Sequence, residues 1–235
     1  MSNRTALITG AAGDIGAAAA RAFAEGGADV VVTDRRGDAL KEVAAAVREA
    51  GAQVLAHACD QTDPEAVAGL FEAIRGRFGR LDAAFINAGY GRYGALIDLP
   101  YDQWKKHVDV NLNGGFLMAQ GAARLMRDGG AGGAIVMNAS TAATHICDLL
   151  GAYAASKSGV HRLTEALAEE LAGDGVTVNA VLPSIIDTPT NRADMPDADT
   201  SQWVQPAAIG DVILFLASPA ARAVTGALIP VTRGG

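Results

Sequence analysis

Three residues of this chain have the types and spacing needed for acid–base chemistry: Ser140, Tyr153 and Lys157. Tyr153 and Lys157 are separated by one helical turn, so their side chains share one face of a helix. An ammonium beside a phenol favours the phenolate, which lets the phenol act as a general acid or base nearer neutral pH. Ser140 follows the apolar run 134–137, which predicts a buried strand with a hydroxyl at its carboxyl end. Ligands bind at that end of the strands in an open α/β sheet.

A Tyr-x-x-x-Lys pair also occurs on ordinary helix surfaces, so its interpretation depends on the rest of the chain. The chain opens with a predicted strand over 5–9, a glycine-rich turn from Gly10 to Gly16, and an alanine-rich helix over 14–25. A dinucleotide-binding turn requires this order, because glycines let the backbone approach a pyrophosphate and the helix N-terminus attracts its charge. The alternative is a tight strand–helix turn that binds no ligand.

These features resemble the short-chain dehydrogenase/reductase family over essentially the whole chain. The segment from Thr9 to Gly16 is similar to the family's T-G-x-x-x-G-x-G turn, with Asp14 in place of the middle glycine and Gly13 one position earlier. The Asp14 carboxylate either caps the helix or crowds and repels the pyrophosphate.

Further segments resemble the family in the expected order. Asn87-Ala88-Gly89 is similar to the N-A-G that follows the fourth strand, and Asn111 to the helix asparagine. The stretch 179–183 with Thr188 resembles the segment over the nicotinamide, although Ser184 replaces the usual glycine there. Jointly these matches are far more specific than any one of them.

The resemblance implies a catalytic set and a dinucleotide site. The implied catalytic residues are Asn111, Ser140, Tyr153 and Lys157. Tyr153 exchanges a proton with the substrate oxygen, Ser140 donates a hydrogen bond to it, and Lys157 lowers the tyrosine pKa. Asn111 holds a water that links Lys157 to solvent. The implied cofactor contacts are Gly10, Asp14, Ile15, Gly16, Asp34, Arg35, Asp60, Gln61, Asn87, Ala88, Gly89, Tyr153, Lys157, Pro183, Ile186 and Thr188.

Asp34 ends the second predicted strand, and it decides the expected cofactor. An acid there accepts hydrogen bonds from the adenosine ribose and repels a 2′-phosphate. Arg35 and Arg36 follow it and could instead bind that phosphate. We expect NAD in preference to NADP, because Ala11 and Ala12 add no basic group to the glycine turn.

Several other residues have two open interpretations. Asp60 either contacts the adenine or is a loop acid that caps the next helix. His145 either lines the substrate pocket or lies on a loop surface, and Tyr90, Arg92 and Tyr93 follow the N-A-G turn closely enough to reach a substrate. The four histidines lack metal-ligand spacing, so no metal site is predicted.

The pattern of elements predicts one α/β domain spanning residues 1–235, a length sufficient for a full core. Alternating strands and helices imply a doubly wound, mostly parallel seven-stranded Rossmann sheet with helices on both faces. The predicted strands are 5–9, 29–34, 53–58, 83–87, 134–140, 176–182 and 227–231. The predicted helices are 14–25, 37–50, 64–78, 101–127, 151–172 and 206–217. A short substrate lid is expected near 189–205.

Composition limits the partners. The net charge is −7 with no basic cluster, so neither nucleic acid nor an acidic membrane is an expected partner. No apolar stretch reaches the ~18 residues of a membrane span. Cys59 and Cys147 have no pairing pattern and are interpreted as free thiols. The first strand begins at Thr5, which argues against a signal peptide, so a cytoplasmic location is expected.

The long helices 101–127 and 151–172 each carry an apolar stripe, and one sheet is not expected to bury both. In the family these helices pair with their copies across a two-fold axis, and the chain end 227–235 forms a second interface. Two different isologous interfaces predict a homotetramer, with a dimer as the alternative.

The expected activity is NAD(H)-dependent interconversion of a small secondary alcohol and its ketone, the alcohol being a polyol, sugar or hydroxy compound. One alternative is a 3-oxoacyl-carrier-protein-type reductase, which needs basic residues near the pocket mouth. Another is a non-catalytic dinucleotide-binding regulator, which the intact set of Asn111, Ser140, Tyr153 and Lys157 disfavours.

Overall fold

The computed structural model describes residues 1, 3–145 and 148–233. Within them, seven strands form one sheet in the order β3-β2-β1-β4-β5-β6-β7, and every pairing is parallel. The strands are β1 (Thr5–Thr9), β2 (Asp29–Asp34), β3 (Val54–Ala58), β4 (Ala83–Ile86), β5 (Gly133–Asn138), β6 (Val176–Pro183) and β7 (Leu228–Val231).

Helices cover both faces of the sheet, as predicted. They are α1 (Asp14–Glu25), α2 (Leu40–Glu49), α3 (Pro64–Phe78), α4 (Tyr101–His107), α5 (Gly115–Gly129), α6 (Gly151–Glu170), α7 (Pro189–Asp194) and α8 (Pro206–Leu216). One core joins α3, α5 and α6 to the sheet, and the other joins α1, α2 and α8 to its opposite face. In the described part of the chain, no helix combines the length and apolarity that crossing a membrane requires.

The single helix predicted over 101–127 is interrupted, and that prediction is wrong in this respect. The π-helical segment Val108–Gly114 separates α4 from α5. Gln61 Nε2 donates to the main-chain oxygen of Val110 at 2.8 Å, which takes that acceptor out of the regular helical pattern. A Cβ on Gly114 would lie only 2.7 Å from Gln61 Cγ, so the glycine makes room for the inserted side chain.

The expectation that one sheet cannot bury both apolar stripes is also wrong. Ala119, Met126 and Val160 are almost fully buried within the chain, whereas Phe116 remains 40% exposed. The two helices approach closely because the residues at their contact are small. Gly159 is an example, since a Cβ on it would lie 2.8 Å from a methyl group of Leu112.

The strand order reverses between β1 and β4, and a crevice opens at the carboxyl ends of the strands beside such a reversal. A cleft of about 1530 Å³ lies there, lined by the residues that follow β1, β2, β3, β4, β5 and β6. This volume exceeds the roughly 300–1,000 Å³ typical of a drug-sized ligand. The cleft therefore has room for a dinucleotide together with a small substrate.

Candidate active site

The turn from Gly10 to Gly16 packs too tightly for side chains. Gly10 has φ +61°, and a Cβ on it would lie 2.8 Å from Ala88 Cα. A Cβ on Gly16 would lie 2.3 Å from the Gly10 oxygen. The helix cap is Gly13, which makes no side-chain capping bond, and Asp14 is exposed in the first turn. The structure therefore does not support the capping role for Asp14, whose carboxylate stands at the cleft wall.

Acidic residues line the end of the cleft beside β2 and β3. Asp34 accepts hydrogen bonds from Arg36 through its main-chain NH at 3.0 Å and its Nε at 3.2 Å, while Arg35 lines the cleft. Asp60 accepts from the main-chain NH and hydroxyl of Thr62, and these bonds hold the pKa of the Asp60 carboxyl below its usual range. Gln61 is buried and also donates to the Ala88 oxygen at 3.1 Å.

Asn87 ties three strand ends together at the centre of the cleft. Its side-chain Nδ2 donates to the main-chain oxygens of Thr9 and Gly10, at 2.9 and 3.2 Å. Its Oδ1 accepts from Asn138 Nδ2 at 2.9 Å. The ends of β1, β4 and β5 are therefore locked together, and Ala88 and Gly89 continue along the cleft wall.

The structure brings Ser140, Tyr153 and Lys157 to one wall of the cleft. Lys157 Nζ lies 5.8 Å from the centroid of the Tyr153 ring and donates to the Asn138 oxygen at 2.6 Å. Burial lowers the pKa of Lys157 from 10.5 to about 8, because no solvent stabilises its charge. Ser140 Oγ accepts from the main-chain NH of Ala142 at 3.1 Å.

Asn111 is buried within the π-helical segment. Its Oδ1 accepts from the main-chain NH of Tyr90, and its Nδ2 donates to the Tyr90 oxygen and to Ser156 Oγ, all within 2.9 Å. A Cβ on Gly89 would lie 3.2 Å from Asn111 Oδ1 and 3.5 Å from Lys157 Nζ. Asn111 and Lys157 therefore meet behind this glycine.

The segment after β6 covers the other side of the cleft. Ile186 pairs with Val204, and Thr188 Oγ1 accepts from the main-chain NH of Asn191 to cap α7. Asp187 accepts two bonds from Arg192, at 2.5 and 2.8 Å, and one from Gln205 at 2.9 Å. The Arg192 contact, with the Gln205 bond, lowers the pKa of Asp187 to about 2. Both ends of the segment predicted as a lid are thus fastened at Asp187.

Three predicted site residues lie behind the cleft wall, namely Gly16, Asn111 and Pro183; the others line it. Gly16 and Asn111 shape the wall through the contacts above. The Pro183 oxygen accepts from Thr141 Oγ1 at 3.2 Å, which joins the end of β6 to the turn after Ser140.

Comparison with known proteins decides the family. Residues 10–235 match the family model described as enoyl-(acyl carrier protein) reductase. D-threitol dehydrogenase of Mycolicibacterium smegmatis is 36% identical over 246 residues, covering 100% of this chain and 93% of that protein. A short-chain type dehydrogenase/reductase from Mycobacterium marinum superposes with a TM-score of 0.92 at 37% identity, over 98% of this chain and 94% of that one. The chain belongs to the short-chain dehydrogenase/reductase family.

A second solved structure, NAD⁺-bound xylitol dehydrogenase, superposes with a TM-score of 0.93 at 28% identity and covers 99% of both chains. As a short-chain dehydrogenase/reductase, this protein is an oxidoreductase that acts on CH–OH groups. The predictions of the family, of the doubly wound fold and of an enzyme are confirmed.

Two buried histidines of this short-chain dehydrogenase/reductase, His107 and His161, are not among the site residues predicted from the sequence. His161 lies one turn beyond Lys157 on α6, and burial lowers the pKa of its imidazole below the ordinary value. Its spacing from Tyr153 and Lys157 was a usable signal. His107 ends α4 with no solvent exposure, and nothing in the sequence pointed to its partners. In the described part of the chain, no cluster of residues could hold a metal.

The remaining residues with two open interpretations differ in whether they line the cleft. Tyr90, Arg92 and Tyr93 line the cleft beside Tyr153, whereas His145 is exposed and contacts Thr141 and Thr144. Its loop-surface interpretation is therefore the better one. Cys59 is a free, buried cysteine, and burial together with nearby acids raises the pKa of its thiol to about 11. Cys147 lies outside the described residues.

Proposed function

We propose that this protein interconverts a small secondary alcohol and its ketone with NAD(H), and that the alcohol is a polyol, a sugar or a related hydroxy compound. The observation that carries the proposal is the buried ammonium of Lys157, 5.8 Å from the ring of Tyr153 on the cleft wall that also holds Ser140. Relatives named D-threitol dehydrogenase and xylitol dehydrogenase support a polyol-like substrate.

The residues of the cleft fit NAD. The positions of Gly10 and Gly16 leave no room for a Cβ, so the backbone is open to a pyrophosphate at the N-terminus of α1. Asp34 stands at the carboxyl end of β2, where it suits the adenosine ribose and repels the 2′-phosphate of NADP. Ile186, Thr188 and Lys157 would contact the nicotinamide end of the cofactor, as the family resemblance implies.

A nicotinamide held in this cleft would supply hydride transfer from the alcohol carbon in oxidation and to the ketone carbon in reduction. Tyr153 takes the proton of the alcohol oxygen in oxidation and gives it back in reduction. Ser140 Oγ already accepts a hydrogen bond from the main-chain NH of Ala142, so its own proton is available for the substrate oxygen. That bond stabilises the negative charge that develops on the oxygen.

Lys157 supports Tyr153 through its charge. One of its three N–H bonds goes to the Asn138 oxygen, which leaves two for Tyr153 and the cofactor ribose. With a pKa of about 8, its amine is mostly protonated at neutral pH and can release a proton in weakly alkaline solution. Both amide protons of Asn111 are already donated, so we assign the proposed water contact to its main chain.

We also propose that residues 1–235 form a single oxidoreductase domain, with 189–205 as its substrate lid, and that the protein is a cytoplasmic homotetramer. Phe116 on α5 is 40% exposed and Phe215 on α8 is 51% exposed, and these helices cover opposite faces of the sheet. Two separate apolar faces can form two different isologous interfaces, which together generate a tetramer.

The direct test is a panel of secondary alcohols with NAD⁺ and of ketones with NADH, followed through the absorbance of the reduced nicotinamide. Polyols and sugars should be oxidised faster than long-chain substrates, and Tyr153→Phe should lower the rate about 100-fold or more. A ketoacyl thioester of a carrier protein belongs in the same panel. Turnover of that thioester above every polyol and sugar would favour the carrier-protein reductase instead.

A further inference from the structure

One wall of the cleft is an irregular loop, and it stands directly beside the proposed proton donor. Tyr90, Gly91, Arg92 and Tyr93 all line the cleft and belong to no helix or strand. A Cβ on Gly91 would lie 3.4 Å from the ring of Tyr153. The position of this loop therefore sets how much room a substrate has next to Tyr153.

His107 holds this loop from behind. The imidazole is fully buried at the end of α4, with Nδ1 2.7 Å from the main-chain oxygen of Gln103 and Nε2 3.2 Å from the main-chain nitrogen of Arg92. A carbonyl oxygen only accepts and an amide NH only donates, so both contacts are satisfied by a single form of the ring. That form is the neutral tautomer with its proton on Nδ1.

The same residues also fix Tyr90. Its ring lies against that of His107 with centroids 4.8 Å apart, and its hydroxyl donates to Gln103 Oε1 at 2.9 Å. The ammonium of Lys106 lies 4.3 Å from the centre of the Tyr90 ring. Gln103 thus receives a bond from His107 through its main chain and one from Tyr90 through its side chain.

The loop is consequently held at two points with different neighbours. Asn111 binds the main-chain NH and oxygen of Tyr90, on the side next to Gly89 and Lys157. His107 binds Arg92, two residues further along, from behind the part of the loop that lines the cleft. Loss of the first point disturbs the cofactor side of the site, whereas loss of the second displaces only the substrate wall.

We propose that His107 is a positioning residue for substrate specificity: its Nε2 holds the Arg92 main chain so that the loop 90–93 forms a fixed substrate wall beside Tyr153. The substrate role rests on the proposed alcohol dehydrogenase function, whereas the anchoring of the loop does not. His107 does not line the cleft, and it acts through Arg92 and Tyr90.

Three variants of the full-length protein separate this role from simple packing. His107→Leu keeps the bulk of the side chain and removes both hydrogen bonds. His107→Asn keeps a donor for the main-chain oxygen of Gln103 but has no acceptor that reaches Arg92. His107→Gln keeps an acceptor that can reach the main-chain NH of Arg92. His57→Leu, a histidine on β3 outside the cleft lining, is the matched control. Hydrogen exchange of the peptide spanning 89–93 reports the anchoring without any turnover.

In His107→Leu and His107→Asn, the hydrogen-exchange rate of this peptide and the KM for the alcohol should each rise about fivefold to tenfold. A change of this size corresponds to the loss of one hydrogen bond. The KM for NAD⁺ should stay within twofold of the parent, and His107→Gln should restore both loop exchange and the alcohol KM.

Unchanged loop exchange in His107→Leu would overturn the anchoring. Faster exchange with an unchanged alcohol KM, or an equal rise in both KM values, would overturn the substrate role. If no alcohol is oxidised by the parent, the proposed function fails, and the exchange data still decide whether His107 anchors the loop.

Discussion

The ammonium of Lys157 donates a 2.6 Å hydrogen bond to the main-chain oxygen of Asn138, the last residue of β5. This bond fixes a buried positive charge at the strand end that leads directly into Ser140. Because Tyr153 lies one turn earlier on the same helix, a single contact between α6 and β5 aligns all three residues on one cleft wall.

Replacing Tyr153 with phenylalanine should remove the proposed proton donor and keep the aromatic ring. The initial rate of alcohol oxidation should fall about 100-fold or more, the usual contribution of a general acid or base. Binding of NADH, measured by its fluorescence, should remain close to that of the parent. Tyr101→Phe, at an exposed tyrosine of α4, is the control and should retain full activity. A Tyr153→Phe rate within a few-fold of the parent would refute the assignment.

Burial of Lys157 should appear in the pH dependence of stability. Its folded-state pKa of about 8 lies below the ordinary 10.5, so between these pH values the unfolded chain binds more protons and stability increases with pH. Relative to Lys157→Met, the free energy of unfolding of the parent should rise by about 2–3 kcal/mol from pH 7 to pH 10. Urea unfolding at matched protein concentration measures this difference, and parallel curves for the two proteins would contradict the buried charge.

Asp34 should impose a preference for NAD. We expect kcat/KM with NAD(H) to exceed that with NADP(H) by about tenfold or more, since a repulsion of ~1.4 kcal/mol suffices. Asp34→Ala should reduce the difference in kcat/KM between NAD(H) and NADP(H). The substitution removes the acid and releases Arg36 from its ion pair, so that Arg36 and its neighbour Arg35 can both attract the 2′-phosphate. Asp38→Ala, at an exposed acid outside the cleft lining, should leave the preference intact. Equal use of both cofactors by the parent would count against this role.

The ion pair of Asp187 and Arg192 should stabilise the segment after β6, which we propose to contact the nicotinamide end of the cofactor. Arg192→Met should raise the KM for NAD⁺ about twofold to fivefold, a modest effect because the Arg192 side chain is 54% exposed and solvent screens the pair. The difference from the parent should shrink at high ionic strength. Arg222→Met, outside the cleft lining, is the control. If the difference in KM between Arg192→Met and the parent does not change with salt, the ion pair does not stabilise this segment through its charge.

Two exposed phenylalanines should control assembly. Light scattering should give the parent four times the 23.9 kDa chain mass. Phe116→Glu and Phe215→Glu should each yield dimers, because each removes one of two separate interfaces. Phe116→Leu should leave the mass unchanged, as an apolar residue is kept. A monomeric parent at micromolar concentration would refute the tetramer.

Short-range patterns in the sequence were sufficient for the elements of the fold. The helices α1 and α3 occupy the residues predicted for them, because glycine, proline and apolar periodicity act over only a few positions. The helix predicted over 101–127 failed for the opposite reason. Its π-helical segment depends on Gln61, which lies 49 residues before the oxygen of Val110 that it contacts. Propensity within a helix carries no information about a side chain inserted from another element.

The sequence by itself determined which chemical groups are present: Tyr153 and Lys157 at a one-turn spacing, the glycine turn before α1, and the acid that ends β2. Tertiary structure alone decided how these groups are held. Asn111 reaches Ser156 and His107 reaches Arg92 only after α4, α6 and the loop beyond β4 have packed together. Spacing along one element is set by local backbone geometry, whereas hydrogen bonds between elements depend on how the sheet and its helices pack.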